Sequence, residues 1–369
     1  MGHGLVKHGH RVTIVSLAVN QEGISVDQGV EIHRIQPSPK WNDVRMLWRL
    51  NRVWPGFAWA AMNRLKAIDR DHPIDLVEAA EGRADSFFVG FLPSRPKLIV
   101  RLHTARILID QLNKVSKRKG GRRDYWLERQ SISRANLLTA PSQAVVDLTN
   151  KWVPLNGHPV RVVPNPIDTH LFSPRPSKRE LELLFVGRLE HQKIFTLYKA
   201  LPEILRRDKN VRVRFAGAVG NDLNGTSWQT RILDSVPLHD RSRLVFEHIQ
   251  RGAAADAYRR AAICVLPSFW ENFPYAALEA MACATPVVCT RNGGVTELIE
   301  DGVSGVLVPP ESPADLADAI CNLLKNPEKR CLLGLNGRRR VEELYSTERV
   351  IPSMLQVYNE VLNGSNQLS

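Results

Sequence analysis

Two doubly wound parallel α/β domains are what the sequence predicts, on three observations. The chain has 369 residues, too many for one hydrophobic core of ordinary size. Short apolar segments alternate with helical stretches along it, the pattern of parallel sheets with helical crossovers. The alternation breaks once, at the proline-rich segment 162–180 (VVPNPIDTHLFSPRPSKRE), and then restarts. Four prolines followed by charge read as an interdomain connection. Each domain would bind ligands outside the carboxyl ends of its strands, with a cleft between the two.

Taken in order, the first domain has strand candidates at His10–Leu17, Leu76–Glu78, Lys97–Leu102, Leu137–Ala140 and Val160–Pro164. The second has Leu181–Val186, Val211–Ala216, Leu244–Phe246, Ile263–Leu266 and Pro286–Cys289. Each is a short apolar run of the kind a sheet covered on both faces requires. No apolar run reaches the roughly 20 residues a membrane-spanning helix needs, and the opening MGHGLVKHGHRVTIVS lacks a signal-peptide profile. Five cysteines, all in the second half and without CxxC pairs, read as buried small residues in a reducing compartment. The expected location is cytoplasmic.

Charge is divided unevenly. Lys and Arg outnumber Asp and Glu by 25 to 14 in residues 1–165, but only by 25 to 24 in residues 166–369. Residues 40–70 interleave Trp41, Trp48, Trp54 and Trp59 with Arg45, Arg49, Arg52 and Arg64, and residues 114–123 (KVSKRKGGRR) form a cationic loop. Such patches attract anionic surfaces; a solvated face and a loop is the plainer alternative. Nothing matches a nucleic-acid-binding module, so no nucleic acid is expected. A membrane's inner face or a lipid-linked acceptor fits better.

The segment SFWENFPYAALEAMACATPVVCTRNGGVTELI, residues 268–299, carries the most chemistry. A buried strand (AICVLP) ends at Pro267 and Ser268. A short loop follows, and a helix begins near Tyr275 with Pro274 suited to its first turn. Free N–H groups and the positive end of the helix dipole form an anion site there. Glu271 precedes it and Glu279 lies about one turn inside. Beside a diphosphate these carboxylates would be spent on neutral hydroxyls, of a sugar and a ribose. The Gly293-Gly294 turn lets backbone approach a ligand closely. In a second segment, LLFVGRLEHQKIF (183–195), a buried strand ends at Gly187 and is followed by Arg188 and Lys193.

These residues resemble glycosyltransferase family 4. Glu271 and Glu279 match its E-x7-E pair, and Pro267-Ser268, Glu279-Ala280-Met281-Ala282, Thr285-Pro286-Val287-Val288, Gly293-Gly294 and Glu297 fall in register. Arg188 and Lys193 are similar to its G-R-L-x-x-x-K element, and His103 in RLHTARI (101–107) matches its strand-end histidine. Weaker similarity runs through 127–145 and 162–172, and 345–362 resembles its terminal helix, which crosses back onto the first domain.

The resemblance implies a GT-B fold: an acceptor-side domain over 1–165, a nucleotide-sugar-binding domain over 166–345, and a returning helix over 346–369. It also implies a retaining, metal-independent hexosyl transfer from a nucleotide-diphosphate sugar, with UDP or GDP as the nucleotide, to a saccharide or lipid-linked acceptor. Cell-surface polysaccharide or glycolipid synthesis is the setting it suggests. Arg188 and Lys193 would neutralise the diphosphate, and Glu279 would hold the ribose. Glu271, with backbone N–H groups of Phe273, Tyr275 and Ala276, would orient the sugar, and His103 would line the opposite wall. No cofactor or metal is expected.

The sequence also departs from the family's pattern. The family usually opens with a first strand and a Gly-rich loop, and the match here begins after them, at Leu5–Val15. Ile194 and Pro166 stand where glycine is usual, and GAVGND (217–222) and the stretch around His248 differ as well. A non-catalytic relative that binds nucleotide sugar or a partner is therefore the rival reading. A GT-B epimerase is a lesser one. A dinucleotide-dependent oxidoreductase would need a GxGxxG element after a strand, and none is present.

Overall fold

Apolar strands of four to six residues cannot satisfy their backbone alone, and here they pair almost wholly in parallel. The computed structural model describes residues 1–38, 53–112, 121–155, 157–175, 179–222, 224–249 and 251–364. It divides into two units, Met1–Pro164 with Val350–Ser369, and Asn165–Arg349.

The first unit runs α1 (Gly2–Lys7), β1 (Val12–Leu17), β2 (Gly23–Asp27), β3 (Val30–Ile35), α2 (Val53–Asp71), β4 (Leu76–Ala80), β5 (Lys97–Arg101), α3 (Arg106–Leu112), α4 (Gly121–Ser133), β6 (Leu137–Ala140), α5 (Gln143–Trp152) and β7 (Val160–Val162). Its strands form two sheets, ordered β1-β3-β2 and β4-β5-β6-β7, so β1 and β4 each end a sheet. The second sheet is parallel throughout. In the first, β2 and β3 make an antiparallel hairpin that sequence reading misses. Its turn is Gln28-Gly29, both at positive φ (48° and 84°). Such turns favour Asn-Gly or Asp-Gly, so Gln28 hid it. Arg45, Arg49, Arg52, Trp41 and Trp48 and residues 114–120 of the cationic loop lie outside the described residues.

The second unit continues with β8 (Glu182–Val186), α6 (His191–Arg207), β9 (Arg212–Ala216), α7 (Trp228–Asp234), β10 (Leu244–Glu247), α8 (Ala254–Arg260), β11 (Ile263–Leu266), α9 (Tyr275–Ala282), β12 (Val287–Thr290), α10 (Val295–Leu298), β13 (Val306–Val308), α11 (Pro313–Leu324) and α12 (Pro327–Leu344). Its sheet is ordered β10-β9-β8-β11-β12-β13 and is parallel. In order of appearance that is 3-2-1-4-5-6, the doubly wound arrangement whose connections reverse direction between the first and fourth strands. The switch point therefore falls between β8 and β11.

Apolar residues fill both faces of this sheet. Phe185, Leu197, Leu201, Val213 and Ile263 pack with Leu316 and Ile320 on one side; Leu184, Tyr258, Cys264, Leu278 and Met281 pack on the other. Arg214 in β9 spans the buried Glu182 at 2.8 Å and Glu247 at 2.9 Å, tying three adjacent strands by charge. All five cysteines are free; four are buried and Cys331 is exposed, contrary to the expectation that all are buried. Cys331 sits near the start of α12, whose outward residues meet solvent.

The last helix, α13 (Thr347–Leu362), runs back into the first unit. Its buried stripe Val350, Met354, Val357 and Val361 packs on Ile99 of β5, Leu137 of β6 and Val163. Arg161 pairs with Glu360, and the Tyr358 hydroxyl donates to Glu78 of β4.

Candidate functional site

At the switch point two crossovers leave neighbouring parallel strands. β8 passes through Gly187–Glu190 into α6, and β11 through Pro267–Pro274 into α9. No side chain caps the N-terminus of either helix. The positive dipole ends of both helices lie at the carboxyl edge of the sheet. Pro274 is the N-cap of α9 rather than part of its first turn, so the helix proper starts at Tyr275.

Three side chains meet there. The Ser268 hydroxyl donates to Oε1 of Glu271 at 2.7 Å, and Nζ of Lys193, in the first turn of α6, lies 3.9 Å from the same oxygen. The loop bearing Glu271 is fastened on both sides. Phe269 N donates to the Gln192 carbonyl at 2.7 Å, Asn292 Nδ2 donates to Phe269 O at 2.6 Å, and the Thr290 hydroxyl donates to Ser268 O.

Gly293 is required by this loop. It has φ 64°, and a Cβ there would sit 2.1 Å from the Glu271 carbonyl oxygen; Gly294 N donates to that oxygen at 2.9 Å. Gly217 is constrained alike, since a Cβ would lie 2.2 Å from Gly187 O.

The remaining residues singled out from sequence are placed as follows. Arg188 is two-thirds exposed and pairs with Glu190 at 3.1 Å. Glu279, half-buried on α9, accepts a hydrogen bond from Tyr258. Phe273 is buried against Tyr345, its carbonyl held by Asn165 Nδ2 at 3.0 Å. Tyr275 is exposed and Ala276 half-buried. Among the described residues no group of three or more His, Cys, Asp or Glu could hold a metal ion.

Sequence reasoning missed Arg179. Its guanidinium donates to the carbonyls of Tyr258, Arg259 and Ala261 at the end of α8, and to those of Cys283 and Ala284 just after α9. It also reaches the Thr285 hydroxyl at 2.8 Å. Arg338 of α12 adds Ala282 O at 2.7 Å. One planar fork thus satisfies the orphan carbonyls of the two helices beside the site.

In the first unit, His103 follows β5 and stands at the unit's surface. Desolvation by its crowded surroundings, with the Arg101 cation second, pushes its pKa down to about 4, so the imidazole is neutral at pH 7. Its backbone N–H donates to both oxygens of Glu81, at 2.7 and 2.8 Å. Glu128 of α4 accepts from Arg83 N at 3.1 Å and Arg106 N at 2.7 Å. Both carboxyls are buried, and between them Arg83 (φ 70°) and Ala84 (φ 53°) hold positive φ, a cost met by these bonds.

Burial raises Glu81 to about 8 and Glu128 to about 7. A carboxyl whose folded pKa is raised favours folding while protonated, and that contribution is lost as pH climbs from the unfolded value through the folded one. Stability, and with it the melting temperature, is therefore expected to fall between pH 5 and 8, by roughly 3 to 4 kcal/mol over the last two pH units. Glu81→Gln should flatten the profile; an unchanged slope in that variant would refute the assignment.

Residues 1–171 match the family described as Glycosyltransferase Family 4, and residues 180–326 the one described as Glycosyl transferases group 1. The chain belongs to these glycosyltransferases. Among curated relatives, the D-inositol 3-phosphate glycosyltransferase of Nocardiopsis dassonvillei is 33% identical over 216 residues, 54% of this chain and 50% of that protein. The glycogen synthase of Mycobacterium tuberculosis is 30% identical over 250 residues, 66% of this chain and 58% of that one. The chain thus spans about half the length of the curated relatives it matches.

Among solved structures, the sucrose-phosphate synthase of Thermosynechococcus elongatus superposes with a TM-score of 0.78 at 22% identity, covering 98% of this chain and 92% of that one. Anabaena HepE, in complex with UDP-glucose, gives 0.63 at 20% identity over 80% and 81%. The fold is GT-B. Lys193, Glu271 and Ser268 all lie in the group 1 region of this chain, and His103 and Glu81 in the family 4 region.

Proposed function

We propose that this chain binds a nucleotide-diphosphate sugar at the edge of its second unit and transfers the hexosyl group, with retention, to a saccharide or lipid-linked acceptor. The observation that carries this reading is the Lys193–Glu271–Ser268 group between two uncapped helix N-termini at the switch point. A cation and two dipole ends suit a diphosphate, and the adjacent carboxylate suits sugar hydroxyls. Anabaena HepE, of the same fold, is described with UDP and with UDP-glucose, which supports a uridine donor.

In this reaction the bond between the sugar's anomeric carbon and the diphosphate oxygen breaks. The acceptor oxygen bonds to that carbon from the same face, and its proton passes to the departing diphosphate. Charge grows on the leaving group, where Lys193 and Arg188 compensate it beside the positive dipole end of α9. Glu271 orients the sugar, Glu279 the ribose, and a neutral His103 serves as hydrogen-bonding partner rather than cation.

The surplus of basic residues in 1–165 supports an anionic acceptor or membrane surface, in polysaccharide or glycolipid synthesis. No helix among the described residues is long and apolar enough to cross a membrane.

A melting-temperature screen against UDP-, GDP- and ADP-sugars tests the reading, since a ligand bound only by the folded state raises the transition. One nucleotide should shift it, and Arg188→Ala should remove most of the shift. A folded chain that responds to none would overturn the proposal. A shift without turnover would favour a non-catalytic nucleotide-sugar binder.

A further inference from the structure

The side chain that fixes Glu279 comes from another helix. Tyr258, on α8, donates its hydroxyl to Oε2 of Glu279 on α9 at 2.7 Å. The tyrosine has no exposed surface, and its ring lies edge-on to Phe172 with centroids 6.3 Å apart. Its backbone carbonyl is held by the Thr285 hydroxyl at 2.7 Å and by Arg179 at 3.1 Å. The phenol therefore has a fixed position before any ligand arrives. Burial, with the Glu279 charge second, pushes its pKa well above the ordinary value, so at neutral pH it keeps the proton it donates to Glu279.

A buried phenol needs an acceptor, and backbone carbonyls would satisfy it at lower cost than a carboxylate. Glu279 is only half-buried, so it is accessible on one side and anchored on the other. A free glutamate loses rotamer entropy when a ligand immobilises it. One already held by a charge-assisted hydrogen bond has met most of that cost on folding. A carboxylate has about four lone-pair sites, so one oxygen can accept from Tyr258 while the group still receives ligand hydroxyls. The frame is rigid as well, because Arg179 ties the end of α8 to the residues just after α9.

We infer that Tyr258 is a positioning residue for nucleotide recognition, holding Glu279 in the rotamer that receives the 2′- and 3′-hydroxyls of the ribose. The inference rests on the proposed role of Glu279 in the donor site and adds the residue that makes it effective. Tyr258 touches no ligand; it acts through Glu279 alone. Its contribution should vanish when the ribose hydroxyls are absent.

The test is calorimetric binding of UDP and GDP, each beside its 2′,3′-dideoxy counterpart, to the full chain, Tyr258→Phe, Glu279→Gln and the double variant. Phenylalanine keeps the ring that packs on Phe172, and an unliganded melting curve checks that the fold is retained. We expect Tyr258→Phe to weaken the ribonucleotide by about tenfold, the value of one hydrogen bond to a charged group, and to leave the dideoxy nucleotide unchanged. The further loss from Tyr258→Phe in the Glu279→Gln background should be under twofold.

Equal weakening of both nucleotides would overturn the inference, since a general structural defect does that. So would unchanged ribonucleotide binding. Should Tyr258→Phe fail to fold, Glu279→Gln must still remove the preference for the ribonucleotide. A chain that binds neither nucleotide, or binds both forms alike, overturns the donor-site reading and this inference with it. A chain that discriminates but ignores Tyr258→Phe overturns the inference alone.

Discussion

Replacing Arg179 by methionine is expected to lower the melting temperature of the chain by roughly 10 °C and to abolish nucleotide-sugar binding. Methionine matches the aliphatic stem but offers none of the hydrogen bonds that satisfy five carbonyls around α8 and α9. Each buried acceptor left without a partner costs about 1 to 3 kcal/mol. Some of the five gain water, so a net loss of about 4 kcal/mol is reasonable, or 2 to 4 °C per kcal/mol for a unit of this size. Differential scanning fluorimetry with circular dichroism checks it. The expected signature is a loss concentrated in the second unit. A fall of less than about 3 °C would mean that the carbonyls find other donors and the clamp is dispensable.

Lys193→Ala is expected to act in the opposite manner, with little effect on folding and a large one on rate. Lys193 occupies the first turn of α6 with a third of its side chain exposed, so truncation opens to solvent instead of leaving a sealed cavity. Loss of one preorganised charge donor at a departing diphosphate costs about 100- to 1,000-fold. Release of nucleoside diphosphate from UDP-glucose in the presence of acceptor measures it. Lys193→Arg should recover part of the rate, because charge is retained and reach altered. Unimpaired turnover in Lys193→Ala would remove the residue from the donor site. Ser268→Ala should give a milder loss, since the hydroxyl orients Glu271 without meeting the diphosphate.

Legibility from sequence followed the range over which each feature is encoded. The strands β8 to β12 could be read because burial on both faces forces continuous apolar runs, each bounded by a turn or proline. Lys193 and Glu271 stood out because each lies within a few residues of a strand end, where parallel sheets bind ligands. The β2–β3 hairpin stayed hidden because its strands alternate with polar residues and its turn uses Gln28 at φ 48°. The three-residue β13 is too short to carry a period.

Arg179, Tyr258 and the Glu81–Glu128 pair were invisible for a different reason. Arg179 lies about 80 to 105 positions from the carbonyls it holds, and Tyr258 lies 21 from Glu279. Nothing in the local sequence distinguishes them from a surface arginine or a core aromatic. Gly293 was noticed for its backbone freedom, but its crossing with the Glu271 loop is a tertiary fact.

The thiols of the second unit carry a built-in clock. Cys331 lies in the open, whereas Cys264, Cys283, Cys289 and Cys321 are sealed within the fold, and burial raises the Cys283 thiol to about 12 and pushes Cys264 and Cys289 up as well. A thiol that is both sealed and protonated cannot be alkylated until its surroundings part. Once Cys331 has been capped, the slow incorporation of a maleimide counts opening events. Cys283 follows the end of α9, and Cys264 and Cys289 line the strands on either side of its loop. Mass-resolved labelling at these sites would time the breathing of the helix that carries Glu279, and show whether a nucleotide stills it.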